Sequence, residues 1–149
     1  MHTEFKEINI GIYISQCVKE RGIDISRICN FMKSDVETIN TMYSQESMDT
    51  QTLLRWCKLL EYDLFRLYSQ HLILYSPPTR AGEFHKKKQN SKLPHFRKNI
   101  YTKEIIDFVL EMLKSEQKTK EQIIKEYGIP KTTLYKWISK YNLLEGQNV

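Results

Sequence analysis

A chain of 149 residues has room for one ordinary domain or two small ones, and its 40% apolar content supports modest cores, which excludes wholesale disorder. Five glycines and four prolines among abundant Leu, Ile, Lys and Glu point to an all-α class. The net charge of +5 is unevenly placed: residues 1–76 sum to −2, Pro77 to Lys103 to +7 and Glu104 onward to zero.

The opening run MHTEFKEINIG lacks a basic segment followed by an apolar one, so no secretory leader is expected. Ile8, Ile12, Cys17 and Val18 recur at helical spacing, and Arg21-Gly22 predicts the end of that first helix. Asp24 or Ser26 caps a second helix through Met32 that buries Ile28, Cys29 and Met32. Asp35 caps a third, with Val36, Ile39, Met42 and Tyr43 on one side. Asp49-Thr50 opens a fourth whose core stripe is Leu53, Leu54, Cys57 and Leu60. Asp63 starts a fifth, with Leu64, Phe65, Leu67, Tyr68 and Leu72 on its apolar face, and Pro77-Pro78 stops it. Residues 1–76 are therefore expected to form one five-helix domain.

Residues 77–99 carry many charges and little apolar periodicity, and read as a basic linker or arm. Lys86, Lys87, Lys88, Lys92, Arg97 and Lys98 make it cationic. A charge run of this kind is ordinarily a solvated linker; placed before a DNA reader, it would track the phosphate backbone with salt-dependent affinity. His85 and His95 flank the run without further metal ligands nearby. From residue 100, Thr102 is the expected cap of a helix through about Lys114 that buries Ile105, Ile106, Val109, Leu110 and Leu113, and Thr119 of the next.

Cys17, Cys29 and Cys57 are odd in number, widely spaced and set in apolar patterns, with no C-x-x-C pair. They read as reduced core thiols of a cytoplasmic protein, not as a disulfide framework or zinc site. The longest purely apolar run, around Leu72 to Tyr75, is far short of the ~20 residues that span a bilayer, so no membrane partner is expected.

The segment from Lys120 to Tyr141, KEQIIKEYGIPKTTLYKWISKY, reads as two helices about a tight corner. Gly128 can take the positive φ of a sharp helix exit, and Pro130 disfavours helix at Ile129 while suiting the start of the next helix. Ile123, Tyr127, Ile129, Leu134, Trp137 and Ile138 are expected to share a core with Ile106 and Leu110. Lys131, Thr132, Thr133, Tyr135, Lys136 and Lys140 remain outward. Lysines there can neutralise phosphates, and Thr132 and Tyr135 can touch bases. The plainer alternative is a three-helix bundle with a solvated lysine face.

These residues carry a resemblance. EQIIKEYGIPKTTLYKWISKY resembles the helix-turn-helix of bacterial insertion-sequence transposases, whose pattern runs close to xxVAxxYGVSxSTLYRWxKKY. The resemblance implies that Lys131, Thr132, Tyr135 and Lys136 occupy recognition positions. Two departures stand out: Ile124 replaces the small residue at the helix crossing, and Pro130 replaces the usual Ser cap. The chain as a whole resembles short bacterial proteins labelled transposase, through SRICNFMK, LLRWCKLLEYDLFRLY, HLILYSPP and FRKNIYTKEIIDFVLEMLK. The residues around ISRICNFMKSDVETINTMYS resemble the phage-repressor type of helix-turn-helix, with Cys29 at its small position and Lys33 where glycine is usual. Asp35 and Glu37 would face phosphates with the wrong sign there, which leaves DNA reading and protein docking both open for the first domain.

The expected architecture is all-α, with two small helix-turn-helix-type domains, 1–76 and 100–149, joined by the basic linker 77–99. The expected function is non-catalytic, sequence-specific binding of double-stranded DNA, of transposase or mobile-element type, with transcriptional regulation as a role it admits. The two-metal carboxylate chemistry of strand transfer needs a strand-rich scaffold that this chain has no space for, and no nucleotide-loop, nucleophile-elbow or zincin motif is present. No cofactor is expected. Further partners that fit are a second copy of the chain or a separate catalytic or regulatory protein. The alternative is a protein-interaction adaptor without direct DNA reading.

Overall fold

The computed structural model describes residues 5–76, 92–94 and 100–145. Among them the fold is all-helical, with eight helices and no strand: α1 (Ile10–Arg21), α2 (Ile25–Met32), α3 (Val36–Tyr43), α4 (Thr50–Leu60), α5 (Phe65–Tyr75), α6 (Lys103–Lys114), α7 (Lys120–Tyr127) and α8 (Lys131–Glu145). No helix among the described residues is long and apolar enough to cross a membrane.

Short polar side chains set the helix starts because each can turn back to an amide that the first turn leaves unpaired. Asn9 Oδ1 accepts from Ile12 N–H at 3.3 Å, Asp24 from Ser26 N–H at 3.0 Å, Asp35 from Thr38 N–H at 2.7 Å and Asp49 from Thr52 N–H at 2.9 Å. α1 ends where Gly22 turns left-handed at φ 60°. Lys33 and Glu61 take the same conformation at the ends of α2 and α4, with φ of 54° and 49°. A side chain at such a φ is strained by about 1–2 kcal/mol.

Two compact units divide the chain, His2–Ser69 and Gln70–Val149. The division falls inside α5, ahead of the Pro77-Pro78 boundary expected from composition. Gln70, Leu74 and Tyr75 explain the shift. Gln70 donates to Thr102, Leu74 is buried, and the Tyr75 ring meets Tyr127 edge-on at 6.1 Å.

In the unit His2–Ser69, α1 packs on α3 and α4, and α2 packs on the same two helices. The core holds Ile10, Ile14, Ile28, Ile39, Leu53, Trp56, Leu60 and Leu64, all essentially without solvent contact. Each such side chain stabilises the fold by roughly 1.5–3 kcal/mol relative to exposure. Four expected core positions are corrected. Ile12 is 49% exposed, Val36 50%, Leu54 39% and Leu72 59%. Leu72 belongs to the unit Gln70–Val149, and for Ile12 the cause is the way α1 meets the end of α3. Gly11 N–H donates to Gln45 C=O at 3.0 Å, which brings the two backbones together and turns Ile10 and Ile14 inward. On α4, Trp56 and Leu59 are buried while Leu54 faces out and Cys57 is half-buried. Cys17, Cys29 and Cys57 are free, half-buried thiols, and burial raises the pKa of Cys17.

In the unit Gln70–Val149, α8 packs on both α6 and α7. Ile105, Val109, Leu110 and Met112 of α6 are buried, together with Ile123, Tyr127, Ile129, Leu134 and Trp137. Ile106, Leu113 and Ile138, expected in the core, are half-buried, and Met112, which was not expected there, is buried.

Candidate nucleic-acid interface

The candidate interface is built on α7, the corner at residues 128–130 and α8. Thr119 starts α7 with a reciprocal capping box. Its Oγ1 accepts from Gln122 N–H at 3.2 Å, while Gln122 Oε1 accepts from Thr119 N–H at 2.8 Å. Gly128 then leaves the helix at φ 63°, a left-handed conformation that costs glycine no steric strain. Ile129 follows, fully buried, and Leu134 N–H donates to Pro130 C=O at 3.0 Å as α8 begins. The proline ring already has the φ of a first helical turn, which suits the start of α8.

Two contacts fix the corner on its support. The Tyr127 hydroxyl is buried and donates to Met112 Sδ at 3.6 Å. Tyr101 and Trp137 meet edge-to-face, with centroids 4.9 Å apart and planes at 80°. Burial pushes the Tyr101 phenol above its ordinary pKa. Ile124 is half-buried.

With Leu134 and Trp137 turned inward, Lys131, Thr132, Tyr135, Lys136 and Lys140 are exposed and Thr133 is half-buried. Thr132, Lys136 and Lys140 recur every fourth residue and so line one face of α8. The expected outward set is thus brought together on one helix, with Thr133 set partly back.

Not every lysine here is free. Lys118 pairs with Glu126 and lies 5.2 Å from the Tyr127 ring. That hydrogen bond to Glu126 is the main reason its pKa is raised. Lys120 was absent from the expected site. Its ammonium lies 5.3 Å from the Tyr135 ring centroid, beside that of Lys131 at 5.6 Å. No periodicity links a residue on α7 to one on α8, so nothing in the sequence pattern could have found this pair. Lys120 also borders a groove of about 220 Å³ lined by Leu110, Leu113, Lys114 and Ile138.

Lys86, Lys87, Lys88, Arg97 and Lys98 of the basic arm, with His85 and His95, lie outside the described residues; Lys92 is exposed. In the other unit, α2 and α3 repeat the construction of α7 and α8. Each pair has an eight-residue first helix, a left-handed residue at its end (Lys33 or Gly128) and a three-residue corner. Asp35 is the N-cap of α3, and Val36, Glu37, Asn40 and Thr41 are exposed on that helix. No protein-family model, curated protein or solved structure matches the chain.

Proposed function

We propose that this chain is a non-catalytic, sequence-specific double-stranded DNA-binding protein of the bacterial transposase or mobile-element type, acting in the cytoplasm with α8 as its reading helix. The observation that carries the reading is the division of α8. Leu134 and Trp137 seat the helix on α6 and α7, while Thr132, Lys136 and Lys140 line one exposed face. A helix braced in this way across a glycine corner fits the major groove, with lysines for phosphates and threonine for base edges. Lys86, Lys87, Lys88, Arg97 and Lys98 would add sequence-independent affinity from the arm.

The assignment is non-catalytic because Asp24, Asp35 and Asp49 are engaged as helix caps, where capping accounts for them. Strand transfer, where it occurs, would fall to a separate chain; regulation of transcription is the other role such a reader serves. Gel-shift titration against genomic fragments tests the proposal. A salt-sensitive complex is expected, and none at low micromolar protein would overturn it.

A second reading is favoured by the unit His2–Ser69, whose exposed Ile12, Phe31, Val36 and Leu54 are apolar and whose α3 has Asp35 as its N-cap and Glu37 in its first turn. This unit would dock a second copy or a partner protein, making the chain an adaptor. Pull-down before and after nuclease treatment separates the two readings. A partner that survives nuclease favours the adaptor.

A further inference from the structure

Tyr135 is 45% exposed, and two ammonium groups from different helices lie over its ring. Lys131 stands one turn before it on α8, and Lys120 is the first residue of α7. Like charges repel, so two lysines gather on one ring only where its electron-rich face offsets part of that repulsion. Among the described residues, neither has a carboxylate partner, in contrast to Lys118 with Glu126.

Lys120 is held from a second direction as well. It borders the groove formed by Leu110, Leu113 and Ile138 while its ammonium reaches the Tyr135 ring. A lysine chain that lies along apolar surface and carries its charge to a fixed point behaves as a preset cation. Two ammonium groups at one ring suit Tyr135 to placing cations.

We propose that Lys120 and Lys131 bind neighbouring phosphates of one DNA strand, with Tyr135 as the positioning residue that sets their spacing. The inference rests on the DNA-reading role of α8 and adds to it a backbone-binding residue outside the reading helix. It also moves Tyr135 from base contact to cation placement. The two lysines carry affinity and register, and base discrimination is left to Thr132.

The test is the salt dependence of duplex affinity in the full chain. Lys120→Gln lowers the slope of log K against log salt by about 0.9, the value for one phosphate contact. It weakens binding by the same factor on matched and unrelated duplexes. Lys120→Arg and Tyr135→Phe, which keep the charge and the ring face, preserve the slope. Tyr135→Leu lowers affinity and abolishes any further effect of Lys120→Gln. In the free protein, ring-current shielding of the Lys120 side-chain protons is present and is lost in Tyr135→Leu. A wild-type chain that forms no salt-sensitive complex overturns the DNA reading and this inference with it. A wild-type chain that binds, with the slope unchanged in Lys120→Gln or the shielding absent, overturns this inference alone.

Discussion

Gln70 Nε2 donates a 2.8 Å hydrogen bond to Thr102 Oγ1, and Thr102 stands at the N-cap of α6 without capping it through its side chain. The helix start expected from Thr102 is in place, but its hydroxyl is turned to a partner 32 residues away. Gln70 is a buried polar side chain, 8% exposed, so its amide must be satisfied within the protein.

Replacing Gln70 with alanine is expected to destabilise the unit that contains α6 by about 1 kcal/mol, the net worth of a typical hydrogen bond. The loss is limited because the freed Thr102 hydroxyl can turn to cap α6. Hydrogen exchange of the α6 core amides reads this unit directly. The Gln70→Ala and Thr102→Ala effects are expected to be non-additive, and strict additivity in the double mutant would show that the bond contributes nothing.

Gly11 is expected to be the least replaceable glycine in the His2–Ser69 unit. A Cβ added there would stand 2.5 Å from the Tyr43 carbonyl oxygen, 2.6 Å from that of Met42 and 2.7 Å from that of Gln45. Backbone cannot step aside as a flexible side chain would, so α1 would have to lift from the end of α3. Overpacking of this sort costs typically 1–3 kcal/mol or more. Gly22→Ala is the matched control: no atom lies within 4 Å of its added Cβ, and only the φ of +60° penalises it. That substitution costs about 1–2 kcal/mol. Urea unfolding of both variants should rank Gly11→Ala as the more damaging.

These glycines show where sequence reading succeeds and where it stops. Gly22 and Gly128 were expected as helix ends, because positive φ is a local property that glycine announces. Asp35, Asp49 and Thr119 were equally plain, and Asp24 was one of two candidates beside Ser26, since each cap bonds an amide two or three residues ahead. Lys33 and Glu61 turn left-handed against local preference; the ends of α2 and α4 at Met32 and Leu60 were expected, but not the positive φ that follows each. Trp56 was passed over for Leu54 because apolar stripes on adjacent faces of α4 have similar spacing, and the neighbouring helices decide which one is buried. At the candidate interface, the outward set of α8 follows from one helix's periodicity and was readable. The pairing of Lys120 with Tyr135 needs the crossing of two helices and was not.

The three aspartate caps make the His2–Ser69 unit sensitive to acid. The pKa values of Asp24, Asp35 and Asp49 lie below the ordinary 3.8, chiefly through side-chain hydrogen bonds with Ser26, Thr38 and Thr52 and then through backbone amides. A carboxylate with a depressed folded value binds fewer protons folded than unfolded, so stability rises with pH across that window. The contribution is complete above 3.8 and is lost as pH falls through the lower folded values. Asp35→Asn keeps a capping oxygen that does not titrate. Its urea midpoint should therefore fall less steeply than the wild type's as pH drops through 3.8. Parallel pH profiles for the two proteins would assign the acid sensitivity elsewhere.

The reading face proposed for α8 is tested most directly by Lys131→Ala combined with Lys136→Ala. Both side chains are exposed, and the residues that seat the helix, Leu134 and Trp137, are untouched. The thermal midpoint should therefore stay where it is. DNA affinity should fall, and the salt slope should lose about 1.8, twice the value for one phosphate. Thr132→Ala should behave differently, relaxing discrimination at one base pair by about 1–3 kcal/mol while leaving the slope intact. The contrast separates charge from sequence reading on a single helix. If the double lysine variant binds as tightly as the wild type, the exposed face of α8 is not the one that meets DNA.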